Sequence, residues 1–191
     1  MIPTMSTETI PRKLFTVDEF QRMAEAGILP QEGRFELIRG EVVEMPIPDS
    51  PHGGRVKRIV RAFTSKLGES AIVSVQDALL IDRHSLPMPD VTLLRPRADF
   101  YSESHPGPED VFLVVEVSHT TVWYDKTIKA PLYASANIRE HWQLDIGKEV
   151  LIVRTDPANG EYLSTRILQR GETICAQALP RFAFTIEELL G

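Results

Sequence analysis

Two carboxylates and a lysine stand at the ends of predicted strands and in the helix that follows. Asp90 directly precedes the apolar run at residues 91–94, and Glu116 ends the apolar run at residues 111–115. Lys129 lies a short distance further on. Charges at the edge of a buried strand are costly unless they bind something, and converging carboxylates supply the oxygen ligands that Mg²⁺ prefers. This arrangement is typical of metal-dependent phosphodiesterases.

Length and composition indicate an ordinary soluble globular protein. The chain has 191 residues, which suits one domain, and is 42% hydrophobic and 25% charged. No apolar stretch approaches the length of a membrane span, so we expect no membrane partner. The polar start, without a hydrophobic signal region, predicts a cytoplasmic protein.

The cysteine content and the net charge argue against two kinds of site and one class of protein. Cys175 is the only cysteine, which excludes an intrachain disulfide and a cysteine zinc cluster. A net charge of −6 argues against a nonspecific nucleic-acid coat protein. It leaves a nuclease possible, because a metal can neutralise acidic residues at the site and basic groups can be local.

The elements that must position these residues follow from the hydrophobic pattern. Thr16 and Glu19 form a predicted capping box for a first helix, and Arg39-Gly40 is a hairpin signal. A buried stripe from Val56 to Leu67 predicts the best helix of the chain. Further strands are predicted at residues 72–75, 78–81, 91–94, 111–117, 141–145, 150–153 and 162–169, and a last helix at 185–190.

Other segments are predicted as arms, loops or helix starts. Residues 1–14 read as a flexible arm, and residues 15–191 as a single domain. The proline-containing loop at residues 96–108 is long enough to predict a mobile segment beside the site. Pro131 is tolerated only in the first turn of a helix, so we place the start of the helix after Glu116 close to Thr127.

Several segments, in order and spacing, resemble a known family. FELIRGEVV at residues 35–43 and PDV at 89–91 match two of its elements. VVEVS at 114–118, YDKTIK at 124–129, LYA at 132–134 and IREHWQLD at 138–145 match others. Over roughly residues 15–189 the chain resembles the Uma2 family of putative restriction endonucleases, in the PD-(D/E)XK nuclease superfamily.

The resemblance implies a fold, a cofactor and a partner. The expected fold is α/β (α+β), restriction-endonuclease-like, with a mixed central β-sheet flanked by helices. The implied cofactor is Mg²⁺ or Mn²⁺, the implied partner is DNA, and a homodimer is expected because nuclease relatives often pair to cut both strands. The chain departs from the superfamily pattern at Ser118, where a lysine is usual, and Lys129 on the next helix matches the relocated lysine of the family.

The resemblance also assigns roles to the first set of residues. Asp90 and Glu116 would bind the metal, with the carbonyl of Val117 as a further ligand. Lys129 would stabilise the charge that develops on the phosphoryl group. Glu36 would bind a second metal or position water. The structural alternatives are a turn cap for Asp90, exposed strand or hairpin acids for Glu116 and Glu36, and a solvated or Asp125-paired lysine for Lys129.

Further residues are candidate neighbours of this site. Ser118 shares a strand face with Glu116 and could touch a metal-bound water. The other candidates are His52, Gln76, Asp125 and Tyr133. The basic helix offers Arg55, Arg58 and Arg61 as phosphate contacts, although a solvated face opposite a buried stripe explains the same charges.

The sequence therefore predicts metal-assisted hydrolysis of DNA phosphodiester bonds by an endonuclease. Two other functions stay open. One is a catalytically silent DNA-binding or assembly module that keeps the nuclease fold, against which the complete set of Asp90, Glu116 and Lys129 argues. The other is a structural dimerisation protein.

Overall fold

The amino-terminal part of the fold is a helix, a hairpin and a long helix. The computed structural model describes residues 11–30 and 32–191, so the predicted arm over residues 1–14 lies mostly outside it. Helix α1 (Val17–Glu25) begins at the predicted capping box, and strands β1 (Arg34–Ile38) and β2 (Glu41–Met45) pair antiparallel. Their turn at Arg39 and Gly40 has φ of 52° and 82°, as a tight hairpin requires.

Helix α2 (Ser50–Leu67) begins earlier than its apolar stripe indicated. Asp49 caps it by accepting a hydrogen bond from the His52 N–H at 2.9 Å, and a proline occupies its first turn. The helix ends at Gly68, where φ is 51°. Residues 50–55, which lie before the apolar stripe, therefore also belong to the helix.

A mixed six-stranded sheet forms the centre of the fold, in the order β3-β4-β5-β6-β7-β8. Only β5 and β6 pair in parallel, and the helical connection between them crosses one face of the sheet. This confirms the predicted mixed central sheet flanked by helices. The strands are β3 (Ile72–Val75), β4 (Val91–Leu94), β5 (Val111–Ser118), β6 (Glu140–Asp145), β7 (Val150–Ala158) and β8 (Glu161–Leu168).

The two faces of β5 point into different environments. Leu113, Val115 and Val117 pack in the main core against helix α2 and the carboxyl-terminal segment. The alternate residues face the helical connection, since Val114 packs with Tyr133 and Ile138. Glu116 lies on that same face and is 2% exposed. The alternation thus sends the carboxylate of Glu116 toward the helix that carries Lys129.

The helical connection contains a π-helical turn. It runs as α3 (Val122–Tyr124), the π turn Asp125–Lys129 and α4 (Ala130–Ser135), so it begins before the predicted start near Thr127. The Ala130 N–H donates to the Asp125 carbonyl, five residues back. This wider turn precedes Pro131, which lacks the N–H of a regular helical turn. Asp125 and Lys129, the ends of the π turn, are both buried.

The chain closes with β9 (Thr173–Cys175), β10 (Ala183–Thr185) and helix α5 (Ile186–Leu190). Helix α5 packs against α2 in the main core and has its own capping box at Thr185 and Glu188. Within residues 11–30 and 32–191 there is no helix long and apolar enough to cross a membrane.

Two further predictions about segments are wrong: the strand at residues 78–81 and the position of the loop at residues 96–108 beside the site. Residues 78–81 form no strand, although Leu79 is buried and its N–H bonds the Pro87 carbonyl at 2.9 Å. Their apolar character reflects burial in a loop. The loop at residues 96–108 does not border the cavity described below. It is folded on itself, with Arg97 paired to Asp99 at 2.5 Å and 3.9 Å from the ring centroid of Tyr101.

Candidate active site

A cavity of about 250 Å³ opens beside the start of β4 and the second half of β5. Strand β1, the segment between β2 and α2, and the π turn complete its walls. Its lining is acidic, because five carboxylates face only two permanent cations. The carboxylates belong to Glu36, Asp49, Asp90, Glu116 and Asp125, and the cations to Arg34 and Lys129.

Asp90 is held in place by three donors. Its Oδ2 accepts from the Val117 N–H at 2.9 Å and lies 3.0 Å from His52 Nε2, and its Oδ1 accepts from Gln76 Nε2 at 3.3 Å. Burial alone would raise the pKa of Asp90, but the hydrogen bond and charge of His52 and the Val117 N–H lower it below the usual value. Asp90 is therefore ionised, and the structure brings His52 and Gln76 to it as neighbours.

Glu116, Lys129 and Glu36 form a buried charge cluster. Lys129 Nζ lies 3.2 Å from Glu116 Oε1 and 3.1 Å from Glu36 Oε1, and all three side chains are at most 3% exposed. Burial, followed by the nearby Asp125 and Asp90 charges, raises the pKa of Glu116 to about 8 despite Lys129. Burial works against the Lys129 charge, yet the carboxylates of Glu116 and Glu36 raise the pKa of Lys129. The lysine is thus a fixed positive charge between two acids.

Tyr133 continues the cluster from α4. Its hydroxyl donates to Glu116 Oε1 at 2.6 Å, and burial raises the pKa of Tyr133 well above its usual value, so the hydroxyl keeps its proton. We expect Tyr133→Phe to lower the free energy of unfolding by about 1–2 kcal/mol, because the buried Glu116 Oε1 loses the closer of its two donors. Urea denaturation at neutral pH measures the change.

The chain offers a matched control for this substitution. The Tyr124 hydroxyl, also in the helical connection, is buried and has no hydrogen-bond partner within residues 11–30 and 32–191. We therefore expect Tyr124→Phe to leave the free energy of unfolding unchanged or slightly higher. Equal losses for the two variants would mean that the hydroxyl of Tyr133 does not stabilise Glu116.

Ser118 and Asp125 join a polar network on the same side of the sheet. Ser118 Oγ donates to Asp125 Oδ2 at 2.7 Å, as does Thr121 Oγ1 at 2.7 Å. Gln143 Nε2 donates to Ser118 Oγ at 2.8 Å, and the other side of the Gln143 amide accepts from Arg154 at 2.7 Å. Ser118 does not line the cavity, whereas Asp125 does. Ser118 therefore ties β5 to the helical connection.

The arginines predicted to contact phosphate lie outside the cavity. None of Arg55, Arg58 and Arg61 lines it. Arg58 and Arg61 are exposed, and Arg55 Nε is buried without a partner. This placement favours the alternative interpretation of these charges, a solvated helix face opposite the buried stripe. The other alternative, an ion pair between Asp125 and Lys129, is not formed among the described residues. Lys129 instead pairs with Glu36 and Glu116.

Several residues of the cavity and of the polar network beside it were not predicted from the sequence. Arg34 opens β1 and lines the cavity, as do His119 and Asp49, whose Nδ1 and Oδ2 atoms lie 2.5 Å apart. Gln143 and Arg154 were missed as well. They are 0% and 7% exposed, and a polar residue inside an apolar strand is a sequence signal for such a buried network. Nothing in the sequence near Arg34 or Asp49 marks them, because they join the site only through the fold.

The acidic residues fit a hard divalent cation. Asp90 and Glu116 are adjacent, with the Asp90 backbone nitrogen 3.4 Å from Glu116 Oε2, and the buried Glu36 Oε2 has no hydrogen-bond partner among the described residues. No group of three or more His, Cys, Asp or Glu side chains among residues 11–30 and 32–191 forms a ready metal centre. Mg²⁺ nonetheless commonly takes only one or two carboxylates from the protein and completes its shell with water and substrate oxygens.

Comparisons with known proteins extend over most of the chain. The sequence profile of the Uma2 family, described as putative restriction endonucleases, matches residues 17–187. The fold is similar to the crystal structure of a putative nuclease from Anabaena variabilis, with a TM-score of 0.70 and 15% sequence identity over 92% of this chain and 97% of that one. At this identity the likeness is one of fold. No curated protein matches the sequence.

Proposed function

Because the chain belongs to the Uma2 family of putative restriction endonucleases, we propose that it is a metal-dependent endonuclease that hydrolyses phosphodiester bonds of DNA. The observation that carries the proposal is one cavity that holds Asp90, Glu116 and Lys129, which come from two strands and a helix. The cavity thus combines the ionised Asp90, the buried acid Glu116 and the protonated Lys129. Such a set suits phosphoryl transfer, because negative charge develops on oxygen during that reaction.

Asp90 and Glu116 would hold Mg²⁺ or Mn²⁺, with the carbonyl of Val117 as a proposed third ligand. The bound ion would lower the pKa of water and polarise the phosphoryl oxygen. The Val117 N–H already fixes Asp90 at 2.9 Å, so the backbone of β5 orients one ligand. A cation would also offset the cost of ionising Glu116, whose pKa is raised to about 8 by burial.

Lys129 would stabilise the charge of the transition state, since it is protonated and lies 3.2 Å from Glu116. Glu36 would orient the attacking water, because it lines the cavity and keeps one oxygen without a hydrogen bond. Tyr133 positions Glu116 through its hydroxyl.

Incubation of purified protein with supercoiled plasmid and Mg²⁺ or Mn²⁺ tests the proposal. We expect metal-dependent nicking or linearisation that Asp90→Asn reduces by about a hundredfold or more. Asp156→Asn is the matched control, because Asp156 is exposed on β7 and asparagine tolerates its positive φ.

Two outcomes would contradict the proposal. No cleavage, together with no metal binding by calorimetry, would favour the silent DNA-binding or assembly module. Equal cleavage by wild type and Asp90→Asn would point to a contaminating nuclease or a different site.

A homodimer is also part of the proposal. Strand β8 is an edge of the six-stranded sheet, and it exposes Leu163 and Ile167 on one face. An unpaired edge with apolar side chains is a surface on which a second copy can pair. A cytoplasmic location stays a prediction from the sequence.

A further inference from the structure

The mouth of the cavity is apolar, although its floor is acidic. Met45, Pro46, Ile47 and Pro48 run along one side, and Met88 contributes from another segment. Ile47 is 82% exposed, so its side chain adds little to the stability of the fold. An apolar group placed at the entrance of an acidic cavity is instead available to a substrate.

The segment that carries Ile47 is held at both ends. Pro46 and Pro48 fix the backbone on either side. Asp49 then caps helix α2 through the His52 N–H and pairs with His119 at the edge of the cavity. The rim is therefore restrained at both ends, and Ile47 between them is exposed.

The floor of the cavity is buried and poor in cations. Glu36, Glu116 and Lys129 are only 1–2% exposed. A duplex carries its phosphates on a wide rod and is usually held by several lysines and arginines. Among the described residues that line the cavity, Arg34 and Lys129 are the only permanent cations, and Lys129 is already paired with two acids. A flexible single strand can bring a phosphate to such a buried floor without the deformation energy that a stacked duplex must supply.

We propose that the substrate enters this site as an unpaired strand and that Ile47 contacts the nucleobase next to the scissile phosphate. Isoleucine, methionine and proline are among the side chains that wedge against unstacked bases. Contacts with base faces are tolerant of sequence, because every base has a flat apolar face. The inference rests on the proposed nuclease function and adds the substrate class.

The inference is tested by initial cleavage rates on three labelled DNAs of the same sequence. These are a single strand, a duplex, and a duplex with a short gap. We expect cleavage of the single strand and of the gap to be at least about tenfold faster than cleavage of the duplex, because a duplex must first unstack. Ile47→Ala should raise KM for the single strand about fivefold and leave kcat nearly unchanged, since only an apolar contact is lost.

Two further variants separate contact from structure. Ile28→Ala is the matched control, because Ile28 is a loop isoleucine that is 64% exposed and does not line the cavity. We expect it to cleave as the wild type does. Ile47→Trp should lower KM for the single strand, because an indole stacks on bases better than an alkyl group. A role of Ile47 in folding alone would not produce that gain.

The failure of this inference differs from the failure of the proposed function. Equal or faster cleavage of the duplex would overturn the inference and leave the nuclease intact. If no DNA is cut, equilibrium binding of the same three DNAs in Ca²⁺ tests the inference instead. Tighter binding of the single strand that depends on Ile47 supports the inference without the nuclease, and equal binding of all three overturns it.

Discussion

Glu116→Gln is expected to abolish cleavage and, in metal-free buffer, to make the protein more stable above neutral pH. The loss of a metal ligand should lower kcat by about a hundredfold or more. The gain in stability follows from burial, which raises the pKa of Glu116 from 4.5 to about 8. Glutamine keeps an oxygen for the Tyr133 hydroxyl and for Lys129 but never has to ionise.

The pH dependence has a definite sign. The pKa of Glu116 is higher in the folded state, so the neutral carboxyl stabilises the fold fully below pH 4.5, and that stability is lost as pH rises through about 8. The shift corresponds to roughly 3–5 kcal/mol. Wild type and variant should therefore unfold alike at acidic pH and diverge toward alkaline pH.

Denaturation in urea at several pH values, with chelator present, measures this divergence. Glu161→Gln is the control, because Glu161 is exposed on the edge strand β8 and should behave as wild type at every pH. A constant difference between wild type and Glu116→Gln across the pH range would mean that Glu116 titrates normally. Retained cleavage by Glu116→Gln would remove it from the metal site.

Lys129→Met is expected to abolish cleavage and to destabilise the fold by about 3–5 kcal/mol. The substitution removes the charge that lies 3.1 Å from Glu36 and 3.2 Å from Glu116. Both carboxyl groups would then be buried with no cation between them, which costs far more than the removal of a surface charge. Urea denaturation at neutral pH and the plasmid assay measure the two effects.

Lys126→Met provides the control within the same π turn, because Lys126 is exposed. We expect its effect on the free energy of unfolding to stay within about 0.5 kcal/mol. The double variant Lys129→Met/Glu36→Gln should recover part of the lost stability, because it removes the Glu36 carboxyl group together with the lysine that pairs with it. It should not recover cleavage. A mild effect of Lys129→Met alone would show that Lys129 is solvated.

The sheet and its central acids could be predicted from the sequence because their signals are local. The near-continuous apolar run of β5 marks a central strand, and the period of two places Glu116 and Ser118 on one face. The alternation is observed, since Val114 and Glu116 face the helical connection while Val115 and Val117 pack in the main core.

The remaining features depend on contacts between distant segments. Leu79 is buried by a loop, which no alternation pattern distinguishes from a strand. The start of the helical connection was misplaced because Pro131 reads as a first-turn residue, whereas the chain absorbs it after a π turn. Arg34 and the Asp49–His119 pair join the cavity through the fold, so residue type and spacing do not reveal them.

The π turn that brings Lys129 inward has a consequence for motion. The acids belong to the sheet, but the lysine reaches them from a short helix that lies on the sheet, so local undocking of residues 122–135 would separate the charges without unfolding β4 or β5. Such an open form would expose Glu116 to water and remove the burial that raises its pKa. The proposed cleavage site thus persists only as long as one helix stays in place, and its lifetime can be much shorter than that of the fold.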